Sequence, residues 1–150
     1  MDCGPRCWRY VEKLNGRRAT LKHLLELCGT TTDGTYIPNM VVAGEALNYA
    51  CVVRENMTWR QLQSDLRRGR HVIAVWWSVI NAGVPSKPEG HYSVIKAVTR
   101  NKVWLYDPEA EDVIILPREM WLSHWWSWEH PPAGERKDYV RTAIVARKKS

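Results

Sequence analysis

Apolar residues in the first third of the chain recur at helical spacing. From Pro5 onward, Cys7, Trp8, Val11 and Leu14 share one face, and Asn15-Gly16 follows as a stop signal. Pro5 suits a first helical turn, where a missing N–H costs nothing. Leu21, Leu24, Leu25 and Cys28 predict a second amphipathic helix, capped by Thr20 and ended at Gly29. The run Thr30-Thr31-Thr32-Asp33-Gly34-Thr35 is turn chemistry throughout. A third helix is expected over Pro38 to Tyr49, packing closely through Gly44.

The pattern then alternates between periods. Ala50 to Val53 reads as a short strand. Thr58-Trp59-Arg60-Gln61 is a capping box that opens a helix through Leu62 and Leu66 to Gly69. Strand-like runs follow at His71–Trp77, His91–Thr99, Lys102–Tyr106, Val113–Leu116 and Tyr139–Ala146. Between the first two, Gly83, Pro85, Pro88 and Gly90 predict an irregular loop over 81–90. Arg100-Asn101 is short enough to turn a hairpin, so the strands on either side are expected to be antiparallel neighbours. Trp121, Trp125 and Trp128 lie at helical spacing and predict a C-terminal helix packed on the sheet. Helices first and strands afterwards argue a single α+β domain over 1–150, not a doubly wound sheet.

Composition narrows the class without naming an activity. The chain is 45% apolar and 25% charged over 150 residues, which is globular and sufficient for one core. Its longest uncharged apolar stretch, Val72 to Ile80, is about half of the roughly 20 residues a spanning helix needs. Met1 to Arg6 has no apolar signal segment, so a cytoplasmic location is expected. The net charge of +6 permits anionic partners, but no RNP-type motif or zinc-finger spacing accompanies the basic clusters, so nucleic acid is not expected. Cysteines stand at 3, 7, 28 and 51 without redox or zinc spacing, which favours free thiols. His23, His71, His124 and His130 have no ligand spacing among themselves, so neither metal nor cofactor is expected.

Three residues stand where chemistry is performed. Cys3 precedes Gly4-Pro5 at the mouth of the first helix, where the helix dipole and unpaired amides favour thiolate; an incidental terminal thiol is the alternative. His91 follows Gly90 where a strand leaves a loop, as a site residue or as a satisfied strand-end histidine. Asp107 ends the neighbouring strand before Pro108, either starting a turn or accepting from a His91 ring nitrogen and fixing its tautomer. The hairpin brings both toward one open end.

These residues carry a resemblance. Asp2-Cys3-Gly4-Pro5, then Gly90-His91-Tyr92-Ser93-Val94-Ile95, then Tyr106-Asp107-Pro108 resemble the C39 and C39-like cysteine peptidases of the papain-like superfamily. The turn-rich segment 29–35 and the helix from Thr58 to Gly69 before a buried strand fit as well. The resemblance covers nearly the whole chain. It implies a papain-like fold, with N-terminal helices packed on an antiparallel sheet. It further implies Cys3 as nucleophile, His91 as general base and then acid, and Asp107 as the residue orienting His91. The substrate would be a peptide or protein, cleaved through a thioester without metal or cofactor. Trp77, at a strand end, and Gly90 are expected to line the substrate cleft. The alternatives are an inactive peptide-binding module and an acyltransferase using the same triad.

One departure matters. The family usually carries a glutamine several residues before the nucleophile, as an oxyanion donor. Here Met1 and Asp2 precede Cys3, and Gln61 and Gln63 fall on the middle helix. The expectation is a reactive thiol with slow turnover, since one lost oxyanion donor costs about 10²–10³ in rate.

Overall fold

A computed structural model describes residues 2–81 and 84–149. The chain runs α1 (Cys3–Leu14), α2 (Leu21–Cys28), α3 (Ile37–Ala46), β1 (Tyr49–Arg54), α4 (Trp59–Arg67), β2 (His71–Asn81), β3 (Val84–Val98), β4 (Lys102–Asp107), β5 (Asp112–Pro117), α5 (Arg118–His124), β6 (Trp126–Glu129), β7 (Lys137–Val140) and β8 (Thr142–Lys148). Six strands form one antiparallel sheet in the order β1-β8-β2-β3-β4-β5, and β6 pairs with β7 as a separate ribbon.

The caps read in the sequence set the helix ends. Thr20 accepts a hydrogen bond from the His23 amide at 3.2 Å, and Gly29 closes α2 at φ +57°. Thr58 and Gln61 form the reciprocal capping box that starts α4. The hairpin after β3 closes through Thr99 N–H to the Lys102 carbonyl at 2.9 Å.

Both faces of the large sheet are covered. α1, α2 and α3 bury Trp8, Val11, Leu24 and Met40 against Ile73, Val75, Val94 and Ile144. α4 and the end of α5 bury Leu62, Trp121 and Trp125 against Val72, Ala74, Trp76 and Val145 on the other side. Successive residues of β2 therefore enter alternate cores, which is why Val72 to Trp76 is apolar without alternation. The N-terminal helices account for one layer, and α4 and α5 supply the second.

Close approach requires glycine at two places. A Cβ on Gly44 would stand 2.5 Å from both the Cys51 sulfur and the Trp8 ring, so α3 could not seat on α1 and β1 with any larger residue. A Cβ on Gly4 would stand 2.7 Å from the Met40 sulfur. The Cys3-Gly4-Pro5 sequence thus lets the start of α1 press onto α3.

Four expectations need correction. The third helix ends at Ala46, not Tyr49, because Asn48 adopts a left-handed φ of +73° and Tyr49 begins β1. Most of the expected 81–90 loop is strand: β2 and β3 form a long arm, interrupted where the register shifts between Ser78 and Ile80. At that bulge the ladder is broken, so Pro85 and Pro88 cost fewer hydrogen bonds than in a regular strand. Residues 82 and 83 of that expected loop lie outside the described residues. The expected strand Tyr139–Ala146 is two strands divided at Arg141, whose φ of +42° sends the chain from the ribbon into the large sheet. Finally, Trp128 is on β6, not on a helix with Trp121 and Trp125. The helical spacing of the three tryptophans is coincidental. Trp121 and Trp125 are core residues, whereas Trp126 and Trp128 project from the strand into partial exposure.

Among the described residues no helix is long and apolar enough to cross a membrane.

Candidate active site

Three chain segments meet beside a cavity of about 530 Å³ at one end of the sheet. α1 contributes Cys3, its first residue, partly exposed at the edge of the first core. β3 contributes His91, which is 2% exposed, and β4 contributes Asp107, fully buried. His91 Nε2 and Asp107 Oδ1 are 2.6 Å apart, so the carboxylate accepts a hydrogen bond from the N–H at that nitrogen. The other nitrogen, Nδ1, is left for the cavity side. Cys3 and His91 both line the cavity, while Asp107 stands behind the ring.

The surrounding walls come from elements the sequence reading weighed separately. Trp77 and Gly90, expected at a cleft, pair across β2 and β3 and both line the cavity. Of the adjacent tryptophans, Trp76 is buried with its indole N–H on Ser93 Oγ at 3.0 Å. Trp77 turns the other way and stacks on Trp126, with ring centroids 5.2 Å apart. The threonine-rich turn forms another wall. Tyr92 donates its hydroxyl to the Thr35 carbonyl at 2.8 Å, which ties that turn to the residue after His91.

Sequence reasoning missed the wall from β6, comprising Ser127, Trp128, Glu129 and His130, because this segment was read as helix. Glu129 Oε2 accepts the Ile37 amide at 2.7 Å, which fastens the N-terminus of α3 to the ribbon. It also missed Glu109, whose Oε1 lies 3.9 Å from His91 Nδ1. The Asp107-Pro108-Glu109 spacing was the available signal, since an Asp before a turn holds the amide two residues on. Gln61 and Gln63 are on α4, which packs on the far face of the sheet, and Gln63 opens onto a different cavity.

The model of the peptidase C39 family matches residues 1–128. The chain belongs to that family. The Lactococcus lactis lactococcin transport/processing ATP-binding protein LcnC-like is 28% identical over 127 residues, which are 83% of this chain and 16% of that protein. The lactococcin-G-processing and transport ATP-binding protein LagD, also from Lactococcus lactis, is 25% identical over 167 residues, covering 99% of this chain and 21% of its own length. This C39 chain therefore spans about a fifth or less of the curated relatives it matches. Among solved structures, the peptidase domain of Streptococcus ComA superposes with a TM-score of 0.66 at 19% identity, covering 99% of this chain and 92% of that one. A double glycine motif protease from an AMS/PCAT transporter, solved with its leader peptide, gives 0.68 at 13% identity, covering 99% and 85%. The fold is that of the C39 peptidase domains, which is papain-like.

Electrostatics within this C39 domain separates its cysteines. All four are free thiols. Burial pushes Cys7 far above the ordinary thiol range, and pushes Cys28 and Cys51 each up to about 12. His91 moves the opposite way from what its burial dictates. Desolvation lowers it, but the hydrogen bond to Asp107 and the charges of Asp107 and Cys3 outweigh that and raise it to about 10. An imidazolium is therefore favoured beside Cys3 across the neutral range. Among the described residues no Lys or Arg lines the cavity, and no group of three or more His, Cys, Asp or Glu is arranged to hold a metal ion.

Proposed function

We propose that the chain is a thiol hydrolase that cleaves peptide bonds with Cys3 as nucleophile, His91 as proton carrier and Asp107 as its anchor. The observation that supports this reading is the 2.6 Å contact of His91 Nε2 with buried Asp107, which leaves the opposite nitrogen free beside a cavity that Cys3 and His91 both line. The Cys3 thiolate attacks the peptide carbonyl carbon, and the carbonyl oxygen becomes an oxyanion. The Cys3 backbone amide, at the first position of α1 and lacking an intrahelical acceptor, is placed to donate to it. His91 Nδ1 gives its proton to the leaving nitrogen, the C–N bond breaks, and a thioester remains on Cys3. Water then gives a proton to Nδ1 as its oxygen attacks the thioester; acid product and free thiolate leave an imidazolium again. The wall formed by Trp77 and Gly90 lines the path of the bound peptide. Membership of a family whose relatives are named as processing proteins supports peptide as the substrate class.

The test is selective alkylation followed by intact and peptide mass analysis at neutral pH. Iodoacetamide is expected to label Cys3 well ahead of Cys7, Cys28 and Cys51, which serve as internal controls because burial holds them as thiols. His91→Ala should reduce that preference, most visibly against the partly exposed Cys51. Equal labelling of Cys3 and Cys51, both partly exposed, would instead support a peptide-binding module without an activated nucleophile.

A further inference from the structure

One turn supplies carboxylates to both nitrogens of the same imidazole. Asp107 Oδ1 meets His91 Nε2 at 2.6 Å and also accepts the backbone N–H of Glu109 at 3.3 Å. That second bond folds Asp107-Pro108-Glu109 back on itself. The Glu109 side chain thereby reaches the opposite edge of the ring, with Oε1 3.9 Å from Nδ1. Its Oε2 is buried and has no hydrogen-bond partner among the described residues. A carboxylate oxygen left in this way has no structural duty that explains its position. It lines the cavity that holds Cys3.

The geometry points to Glu109 as a second positioning residue for His91, acting on the nitrogen that exchanges protons with Cys3. This inference rests on the thiol-hydrolase reading. Glu109 does not replace Cys3 as the partner of Nδ1, since 3.9 Å is too long for a hydrogen bond. It acts through charge. A carboxylate there stabilises the imidazolium and opposes a thiolate on the same side of the ring. The two effects have the same sign on the pH axis: Cys3 becomes reactive at a higher pH, and His91 gives up its proton at a higher pH. Glu109 thus moves the whole working window upward without narrowing it.

The other groups facing His91 do not duplicate this action. Asp107 acts on Nε2 and Cys3 is the reacting partner, while Cys7 on α1 is held as a neutral thiol. Asp33, Glu89, Glu129 and His130 line the same cavity from the threonine turn, β3 and β6, and none of them forms an ion pair with the ring. The carboxylates of Asp33, Glu89 and Glu129 add a background of the same sign as Glu109. No described cation in the cavity cancels it.

The experiment is the rate of Cys3 carbamidomethylation across the pH range for the wild type, Glu109→Gln and Glu111→Gln. This readout needs no turnover. The wild type should show a lower inflection as Cys3 becomes reactive and an upper one as His91 loses its proton. In Glu109→Gln both inflections should move to lower pH, by on the order of one unit. In Glu111→Gln, which removes an exposed carboxylate two residues further on, neither should move. Inflections that stay in place in Glu109→Gln overturn the inference. So do inflections that move toward each other, because a narrowed window reports a loosened Cys3–His91 contact and not a lost charge. If the wild type itself shows a single ordinary thiol titration, the hydrolase reading fails, and this inference falls with it.

Discussion

Replacing His91 with Ala is expected to reduce peptide cleavage on the order of 10²–10⁴-fold, through the loss of proton transfer to the leaving nitrogen. The loss should fall mainly on kcat, since His91 acts on the reacting atoms and not on the rest of the substrate. The same substitution carries a stability cost that must be separated from it. Asp107 is fully buried, its Oδ2 has no hydrogen-bond partner among the described residues, and apart from His91 its Oδ1 has only the Glu109 amide, at 3.3 Å. Removing the imidazole strands that carboxylate, which costs about 3–5 kcal/mol for a broken buried pair. Adding Asp107→Asn to His91→Ala removes the stranded charge, so much of the stability should return while activity does not. Urea unfolding of the single and double variants, beside their cleavage rates, checks both parts. Full activity in folded His91→Ala would contradict the proposed role of the imidazole.

Trp8→Ala is expected to have the largest effect on folding, lowering stability by about 3–5 kcal/mol. Trp8 is completely buried, its ring lies 5.4 Å from that of Tyr49, and its indole N–H donates to the Met40 carbonyl at 3.2 Å. It also occupies the space that glycine at position 44 leaves open. Truncation leaves a cavity at the junction of α1, α3 and β1, together with a carbonyl without its donor. Because Trp8 anchors the helix that begins with Cys3, the consequence should reach the thiol. The preference of iodoacetamide for Cys3 over Cys7 should shrink as Cys7 becomes accessible. Denaturant midpoints and labelling ratios measure the two effects on one sample.

What the sequence disclosed depended on whether the signal was local. Thr20, Gly29 and the Thr58–Gln61 box marked helix ends because a cap acts within one turn. The short motifs around Cys3, His91 and Asp107 singled those residues out, and the Arg100-Asn101 turn predicted that His91 and Asp107 lie toward one end of a hairpin, where they meet. Other features were set by distant partners. Trp121, Trp125 and Trp128 satisfy helical spacing equally well on a helix and a following strand, and only pairing of β6 with β7 decides between them. The Tyr139–Ala146 run looked continuous because nothing in its composition marks Arg141 as left-handed. Pro85 and Pro88 looked like loop residues because a bulge that tolerates them is visible only in the register of the opposing strand. Glu109 went unseen for the same reason: its chemistry arises from a turn folding it onto the second nitrogen of a ring from another strand.

The central claim is that Cys3 forms the covalent intermediate. Its most direct test is rapid-quench mass spectrometry of the 150-residue chain mixed with an activated peptide ester. The account predicts a transient acyl adduct on Cys3 that hydroxylamine releases, disappears in Cys3→Ala, and accumulates without prompt hydrolysis when His91 is replaced. An adduct that forms instead on Cys7, Cys28 or Cys51, or peptide cleavage that continues undiminished in Cys3→Ala, would contradict it.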